Sequence, residues 1–90
     1  MLLDKLLEFD NLKITMYDFE FAGDLLPNHR HTADDQHITI CVRGEIEIET
    51  PEWIKILKEG NIIRFQKNQW HSIKALTDNA RVLNIPTVNV

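Results

Sequence analysis

The chain has 90 residues, a formal net charge of −4, 43% hydrophobic residues and 27% charged residues. This length fits one domain with a thin core, so we expect added stability from a metal ion, a partner subunit or both. The ten basic residues are scattered singly, whereas phosphate binding needs a concentrated basic surface, so we expect no nucleic-acid partner. No apolar run is long enough to cross a bilayer, so we expect no membrane partner.

The opening segment and the cysteine content bear on location. Residues 1–10 include Asp4 and Glu8 and lack the basic start and small-residue cleavage site of a signal peptide. The single cysteine, Cys41, cannot form an internal disulfide, which fits a reducing compartment. These features predict a cytoplasmic protein.

The polarity pattern changes from helical to alternating near the N terminus. Residues 2–9 place leucines at helical spacing and predict a short N-terminal helix or an irregular arm. Residues 12–21 alternate with a phase slip that predicts a β-bulge. Residues 23–32 predict a loop that runs into a strand. Further alternating runs predict strands at 37–43, 45–50, 53–57, 62–65, 70–75 and 81–85. About eight short strands favour an all-β sandwich or barrel of the jelly-roll kind.

The four histidines carry the most chemical information in the sequence. His29 and His31 lie two residues apart, so in a strand both rings face the same side. His71 shares its strand face with Ile73 and Ala75, which are apolar, and this predicts an inward side chain. Imidazole is the commonest metal ligand near neutral pH. From the residues alone, a shared metal ion and a polar pocket lined by hydrogen-bonded histidines are both open.

The fourth histidine lies on another predicted strand. His37 shares its strand face with Thr39 and Cys41. We therefore expect Thr39, Cys41 and Ile73 to line the pocket beside the histidines. A small buried hydrophobic role is the better interpretation of Cys41, because free cysteines are usually buried in this way.

Two segments resemble the motifs of the cupins. Gly23-Asp-Leu-Leu-Pro-Asn-His29-Arg-His31 resembles the start of the first motif, a glycine, five residues and His-x-His. Gly44 matches the glycine that ends this motif, and His37 stands where the family has a glutamate. Gly60 and His71 have the eleven-residue spacing of the second motif. The resemblance implies one cupin domain over 1–90, with motif 1 at about 23–44 and motif 2 at about 60–75.

The resemblance also implies a metal site. The ligand positions are His29, His31, His37 and His71, with His37 in place of the family's carboxylate. An all-nitrogen set disfavours hard ions and predicts one divalent transition metal: Fe, Ni, Zn, Mn or Co. A closed tetrahedral site and an octahedral site with two open positions both fit four histidines.

Two functional classes follow from the resemblance. One is a metal-dependent enzyme of the dioxygenase or isomerase type acting on a small molecule. The other is a non-catalytic module in which the metal is structural or the pocket senses a small ligand. We also expect a homodimer, with Trp70 beside Ile38, Ile40 and Val42 at the subunit interface.

Overall fold

The computed structural model describes residues 1–10, 12–29, 36–65 and 69–87. Nine strands lie within these ranges: β1 Leu2–Phe9, β2 Leu12–Phe19, β3 Leu25–His29, β4 Gln36–Arg43, β5 Glu45–Glu49, β6 Ile54–Lys58, β7 Ile62–Arg64, β8 His71–Ala75 and β9 Ala80–Thr87. The described residues contain no helix, and the predicted all-β class is confirmed. Accordingly, no helix in these ranges has the length and hydropathy needed to span a membrane.

The strands form two antiparallel sheets. One sheet has the order β1-β2-β9-β4-β7 and the other the order β3-β8-β5-β6. Strands adjacent in sequence often lie in different sheets, as in a jelly roll. Both sheets contribute to one hydrophobic core: Phe19, Cys41, Ile46, Ile48, Leu57, Phe65, Ile73, Ala75, Ala80 and Val82.

Strict alternation explains why the central strands face the core as they do. In β5 the side chains of Ile46 and Ile48 are fully buried, while the glutamates between and beside them are more exposed. In β8 Ile73 is fully buried between more exposed neighbours. Successive side chains of a strand point to opposite faces, so this pattern is what a sheet with one core face requires.

The prediction of an N-terminal helix or arm is wrong. Residues 2–9 form β1, which pairs with β2 along its whole length, from Leu2 opposite Phe19 to Phe9 opposite Leu12. The leucine pairs of this segment fit both a helical and an extended conformation. An eight-residue helix is marginal by itself in water, whereas an edge strand gains the backbone hydrogen bonds of its neighbour.

The predicted bulge in the second segment is also absent from its described pairings. The register of β2 runs without a shift against β1 and against β9. The phase slip instead reflects a strand with apolar side chains on both faces. Phe19 is buried in the core, while Ile14 and Met16 lie on the opposite face of β2.

Gly44 connects β4 to β5 and so passes the chain from one sheet to the other. Its φ of +76° belongs to the left-handed region. A Cβ at this position would lie 2.5 Å from Thr77 Oγ1 and 3.1 Å from Ala80 Cα. Thr77 Oγ1 also accepts a hydrogen bond from the backbone N–H of Glu45 at 3.1 Å. The crossing between the sheets therefore requires a residue without a side chain.

We predict that Gly44→Ala destabilises the protein more than Gly60→Ala. Both glycines have positive φ, which costs an alanine about 1–3 kcal/mol. A Cβ at Gly60 meets no atom within 4 Å, whereas one at Gly44 overlaps Thr77 and Ala80 and adds roughly 1–3 kcal/mol. Urea unfolding of the two variants measures the difference. Equal losses of unfolding free energy would show that the close approach at Gly44 is unimportant.

Candidate functional site

His71 begins β8 and points into the interior. Its side chain is 1% exposed, and it shares a strand face with the buried Ile73 and Ala75. The inward orientation predicted from alternation is therefore confirmed. A buried imidazole needs specific partners, because an uncompensated polar group in the interior is costly.

Two contacts fix the His71 ring. Its Nδ1 lies 2.9 Å from the carbonyl oxygen of Gln69, and its plane stacks on Phe65 with 3.8 Å between ring centroids and an angle of 8°. A carbonyl oxygen only accepts hydrogen bonds, so Nδ1 must carry the proton. In the neutral ring Nε2 then carries the lone pair, the arrangement seen in metal-binding histidines held by a backbone carbonyl.

The Phe65 ring is the inner part of an aromatic column. Trp53 stacks on it with 6.4 Å between centroids and an angle of 7°, and Lys55 Nζ lies 4.7 Å from the Trp53 centroid. The column runs from an exposed lysine through Trp53 and the buried Phe65 to His71. Stacked rings resist rotation of their neighbours, so the column holds the imidazole plane in place.

The backbone places two other predicted ligand positions in strands next to or facing His71. His29 lies directly opposite His71 in the β3–β8 pairing, after an irregularity between Leu26 and His29. Directly opposite residues of an antiparallel pair share one face of the sheet. His37 precedes Thr39 by two residues in β4 of the other sheet, and Thr39 is fully buried. The backbone of His29 thus lies beside that of His71, and the backbone of His37 lies in the same strand as Thr39.

The described part of the structure includes the side chain of one of the four predicted histidine ligands, His71. His31 lies outside the described residues, and for His29 and His37 the description covers the backbone. Among the side chains that are described, no group of three His, Cys, Asp or Glu residues forms a metal-binding arrangement. The four-histidine site therefore stays a prediction from the motifs.

A buried polar pair lies on the inner face of the five-stranded sheet. Thr39 and Asn84 are directly opposite each other on β4 and β9, and the Thr39 hydroxyl donates to Asn84 Oδ1 at 2.6 Å. Both residues are buried. Sequence reasoning identified Thr39 but missed Asn84. Asn84 shares a strand face with the apolar Ala80 and Val82, and a polar residue in such a row is a signal that could have identified it.

The other two residues predicted to line the pocket lie in the hydrophobic core. Cys41 and Ile73 are fully buried among its apolar side chains. The Cys41 thiol lies 3.3 Å from the carbonyl oxygen of Gly44, to which it donates. Burial raises the pKa of the Cys41 thiol, with smaller contributions from the charges of Glu59 and Glu45. The thiol therefore stays protonated at neutral pH, as a small buried hydrophobic residue would.

A surface depression of about 340 Å³ lies elsewhere, against Glu49, Thr50, Pro51 and Ser72. Ser72 follows His71 in β8, so the two side chains leave opposite faces of that strand. This depression is therefore on the other side of the sheet from the histidine.

Comparison of the sequence with protein-family models and with curated proteins finds no match. Solved structures are similar over nearly the whole chain. KdgF from Halomonas sp. has a TM-score of 0.83 and 19% identity over 99% of this chain and 82% of that one. A cupin superfamily protein from Desulfitobacterium hafniense has a TM-score of 0.83 and 16% identity over 99% and 79% of the two chains. An RmlC-like cupin from Desulfovibrio desulfuricans has a TM-score of 0.79 and 24% identity over 94% and 81%. Such likenesses establish a shared fold.

We predict that His71 is the Nδ1-protonated tautomer in the metal-free protein at neutral pH. The Gln69 carbonyl at 2.9 Å requires a proton on Nδ1, and the Phe65 stack prevents the ring from turning away. Long-range proton–nitrogen NMR correlations of the imidazole distinguish the two tautomers. A protonated Nε2 with a bare Nδ1 would contradict the assignment.

We also predict that the Thr39–Asn84 pair acts as a unit. Thr39→Val keeps the side-chain shape but removes the donor to Asn84, which should cost about 1–3 kcal/mol of unfolding free energy. Asn84→Leu removes the acceptor, and the double variant should lose less than the sum of the single losses. Denaturant unfolding of all four proteins measures this coupling. Additive losses would show that the hydrogen bond contributes little.

Proposed function

We propose that this chain, which has the cupin fold, binds one divalent transition-metal ion in its interior through His29, His31, His37 and His71. A small polar molecule would bind at or beside that ion. The observation that carries the proposal is the fixed imidazole of His71, buried and held with its Nδ1 on the Gln69 carbonyl. Metal-binding histidines are commonly oriented in this way, with Nδ1–H on a carbonyl oxygen and Nε2 as the ligand atom.

The donor set is suited to such an ion. Neutral imidazoles bind Fe, Ni, Zn, Mn or Co at neutral pH, whereas hard ions such as Ca²⁺ prefer oxygen ligands. The pairing of His29 with His71 supports a shared site, because it makes the two residues direct neighbours on β3 and β8. When bound, the ion would supply a Lewis acid for a small ligand.

The residues of the chain would prepare this environment. The aromatic column of Lys55, Trp53, Phe65 and His71 keeps one wall of the site apolar and holds the ring orientation. The Thr39–Asn84 pair supplies neutral hydrogen-bonding groups on the opposite sheet. A small molecule with hydroxyl or carbonyl groups would match these partners.

The neutral interior favours the non-catalytic class of function. The buried polar residues in the described part of the chain are Thr39, Thr50, His71 and Asn84. None of these four is a carboxylate or an ammonium group that would act as a general acid or base. A metal that stabilises the barrel, or that presents a sensed ligand, fits this interior. The alternative, a dioxygenase or isomerase, would depend chiefly on the chemistry of the metal ion.

We predict one metal ion per chain and loss of binding in His71→Asn. Untagged protein is stripped with chelator and titrated with Co²⁺, Ni²⁺ and Zn²⁺ by calorimetry, with elemental analysis for stoichiometry. Loss of an outer-shell partner typically weakens binding 10–100-fold, so loss of a direct ligand should cost at least about 100-fold. Lys74→Gln is the matched control, because Lys74 is exposed on the same strand.

The Co²⁺ spectrum separates the two functional classes. Intense tetrahedral bands would support a closed structural site, and weak six-coordinate bands that respond to added small ligands would support a site with open positions. Binding should also weaken as the pH falls below about 6.5, because protons compete for the imidazoles. Wild-type protein without bound metal, or His71→Asn with unchanged affinity and fold, would overturn the proposal.

A further inference from the structure

The five-stranded sheet has an apolar outer face formed by two rows of residues that cross all five strands. In the strand order β1-β2-β9-β4-β7, the first row is Leu7, Ile14, Ile85, Ile38 and Arg64. The second row is Lys5, Met16, Leu83, Ile40 and Ile62. The strand pairings align the members of each row, with Ile14 and Ile85 continuing the β2–β9 register by one residue.

These rows lie on the side of the sheet away from the core. Their neighbours along β4 and β9, including Thr39, Cys41 and Val82, are fully buried, so alternation places the rows on the opposite face. The aliphatic members on β2, β9 and β4 are half-buried by one another, and Ile62 at the edge is 62% exposed. A contiguous aliphatic face of this kind usually marks an interaction surface.

The two cations of the rows occupy opposite corners of the face. Lys5 lies at the β1 end of the second row, and Arg64 lies at the β7 end of the first row. The other two corners are aliphatic, Leu7 and Ile62. The face is therefore charged along one diagonal and apolar along the other.

We infer that this outer face is the interface of a homodimer formed by a second copy of this chain. In a face-to-face dimer the two-fold axis lies in the plane of the interface. With the sheets aligned, as in β-sandwiches, the axis runs along the strands or across them. With either axis, the two cationic corners of one copy, Lys5 and Arg64, lie against the two aliphatic corners of the other copy. Within these two rows like charges are then not opposed, so the two rows are complementary to themselves.

The size of the face fits this partner. Four strands of eight residues and the three-residue β7, about 4.8 Å apart with a rise of about 3.3 Å per residue, span a flat area of roughly 550 Å². The side chains that stand on the sheet have an accessible surface larger than this flat area. Stable interfaces bury about 600–1,000 Å² on each partner. The aliphatic rows would form the interface core, and the charged residues beside them the polar rim.

The row next to the aliphatic rows includes Asp18 and Arg81, and its charged residues would form part of the polar rim of the interface. Arg81 donates to both carboxylate oxygens of Asp18, from Nε at 2.6 Å and from a terminal nitrogen at 3.1 Å. The hydrogen bonds from Arg81 hold the pKa of the Asp18 carboxyl below its usual range. A carboxylate neutralised within its own chain can lie at the edge of a subunit contact without opposing the partner.

The expected participation of Trp70 is not supported. Trp70 immediately precedes β8, which belongs to the four-stranded sheet, whereas Ile38 and Ile40 are on the outer face of the five-stranded sheet. Alternation within one strand predicts on which face of its sheet a side chain lies, but it does not identify which sheet the strand joins.

Sedimentation equilibrium of metal-free protein tests the inference separately from the metal site. We expect the wild type to dimerise and Ile62→Lys to raise the dissociation constant at least about 10-fold. Either axis brings residue 62 to the partner subunit's Lys5 or to the partner subunit's Arg64, so a lysine there meets a like charge. Ile62→Glu meets the same cation as an opposite charge and should weaken the dimer less.

Ile54→Lys is the matched control. Ile54 is 61% exposed, as exposed as Ile62, but it lies on β6 of the other sheet, so this variant should dimerise like the wild type. Adding Lys5→Glu or Arg64→Glu to Ile62→Lys should restore the dimer in one of the two cases and thereby identify the axis. A monomeric wild type would overturn the inference, and so would restoration of the dimer in neither double variant. Equal effects of Ile62→Lys and Ile54→Lys, or equal effects of Ile62→Lys and Ile62→Glu, would also overturn it.

Discussion

The alternation of side chains along β4 and β9 is the constraint on which both surfaces of the five-stranded sheet depend. Thr39 faces the interior while Ile38 and Ile40 face outward, and Asn84 faces the interior while Leu83 faces outward. A shift of the pairing by one residue would exchange these faces. It would bury the wrong side chains and separate the donor of Thr39 from the acceptor of Asn84. One register therefore sets the polar interior and the aliphatic exterior together.

The same constraint explains why so small a chain has so much apolar surface outside its core. Most of the described residues belong to one of the nine strands, and each sheet has an inner and an outer face. The four-stranded sheet covers its outer face of β5 with Glu45, Glu47 and Glu49, of which Glu47 pairs with Lys74 at 3.7 Å. That outer face also carries the exposed aliphatic residues Leu25, Ile54 and Ile56 beside these charges. In the five-stranded sheet the outward aliphatic residues instead form two rows that run across the strands. The two sheets thus differ in what their outer faces can contact.

The features that could be predicted from the sequence are those set by residues close together in the chain. Alternation correctly predicted the all-β class, most strands and the inward orientation of His71. It failed for residues 2–9, because leucine pairs fit a helix as well as a strand and the choice depended on pairing with β2. The stacking of His71 on Phe65 and the pairing of Thr39 with Asn84 join distant parts of the chain. A single sequence contains no direct signal for such contacts.

A local interaction and a distant one hold the His71 side chain in different ways. The Gln69 carbonyl lies two residues away in the chain, so the hydrogen bond that sets the His71 tautomer is a local one. Phe65 directly follows β7 and is itself stacked on Trp53, which immediately precedes β6. The ring plane therefore depends on the docking of three segments. A protonation state fixed locally and an orientation fixed by packing together pre-organise the imidazole, so that little rotational freedom is lost when a ligand binds to it.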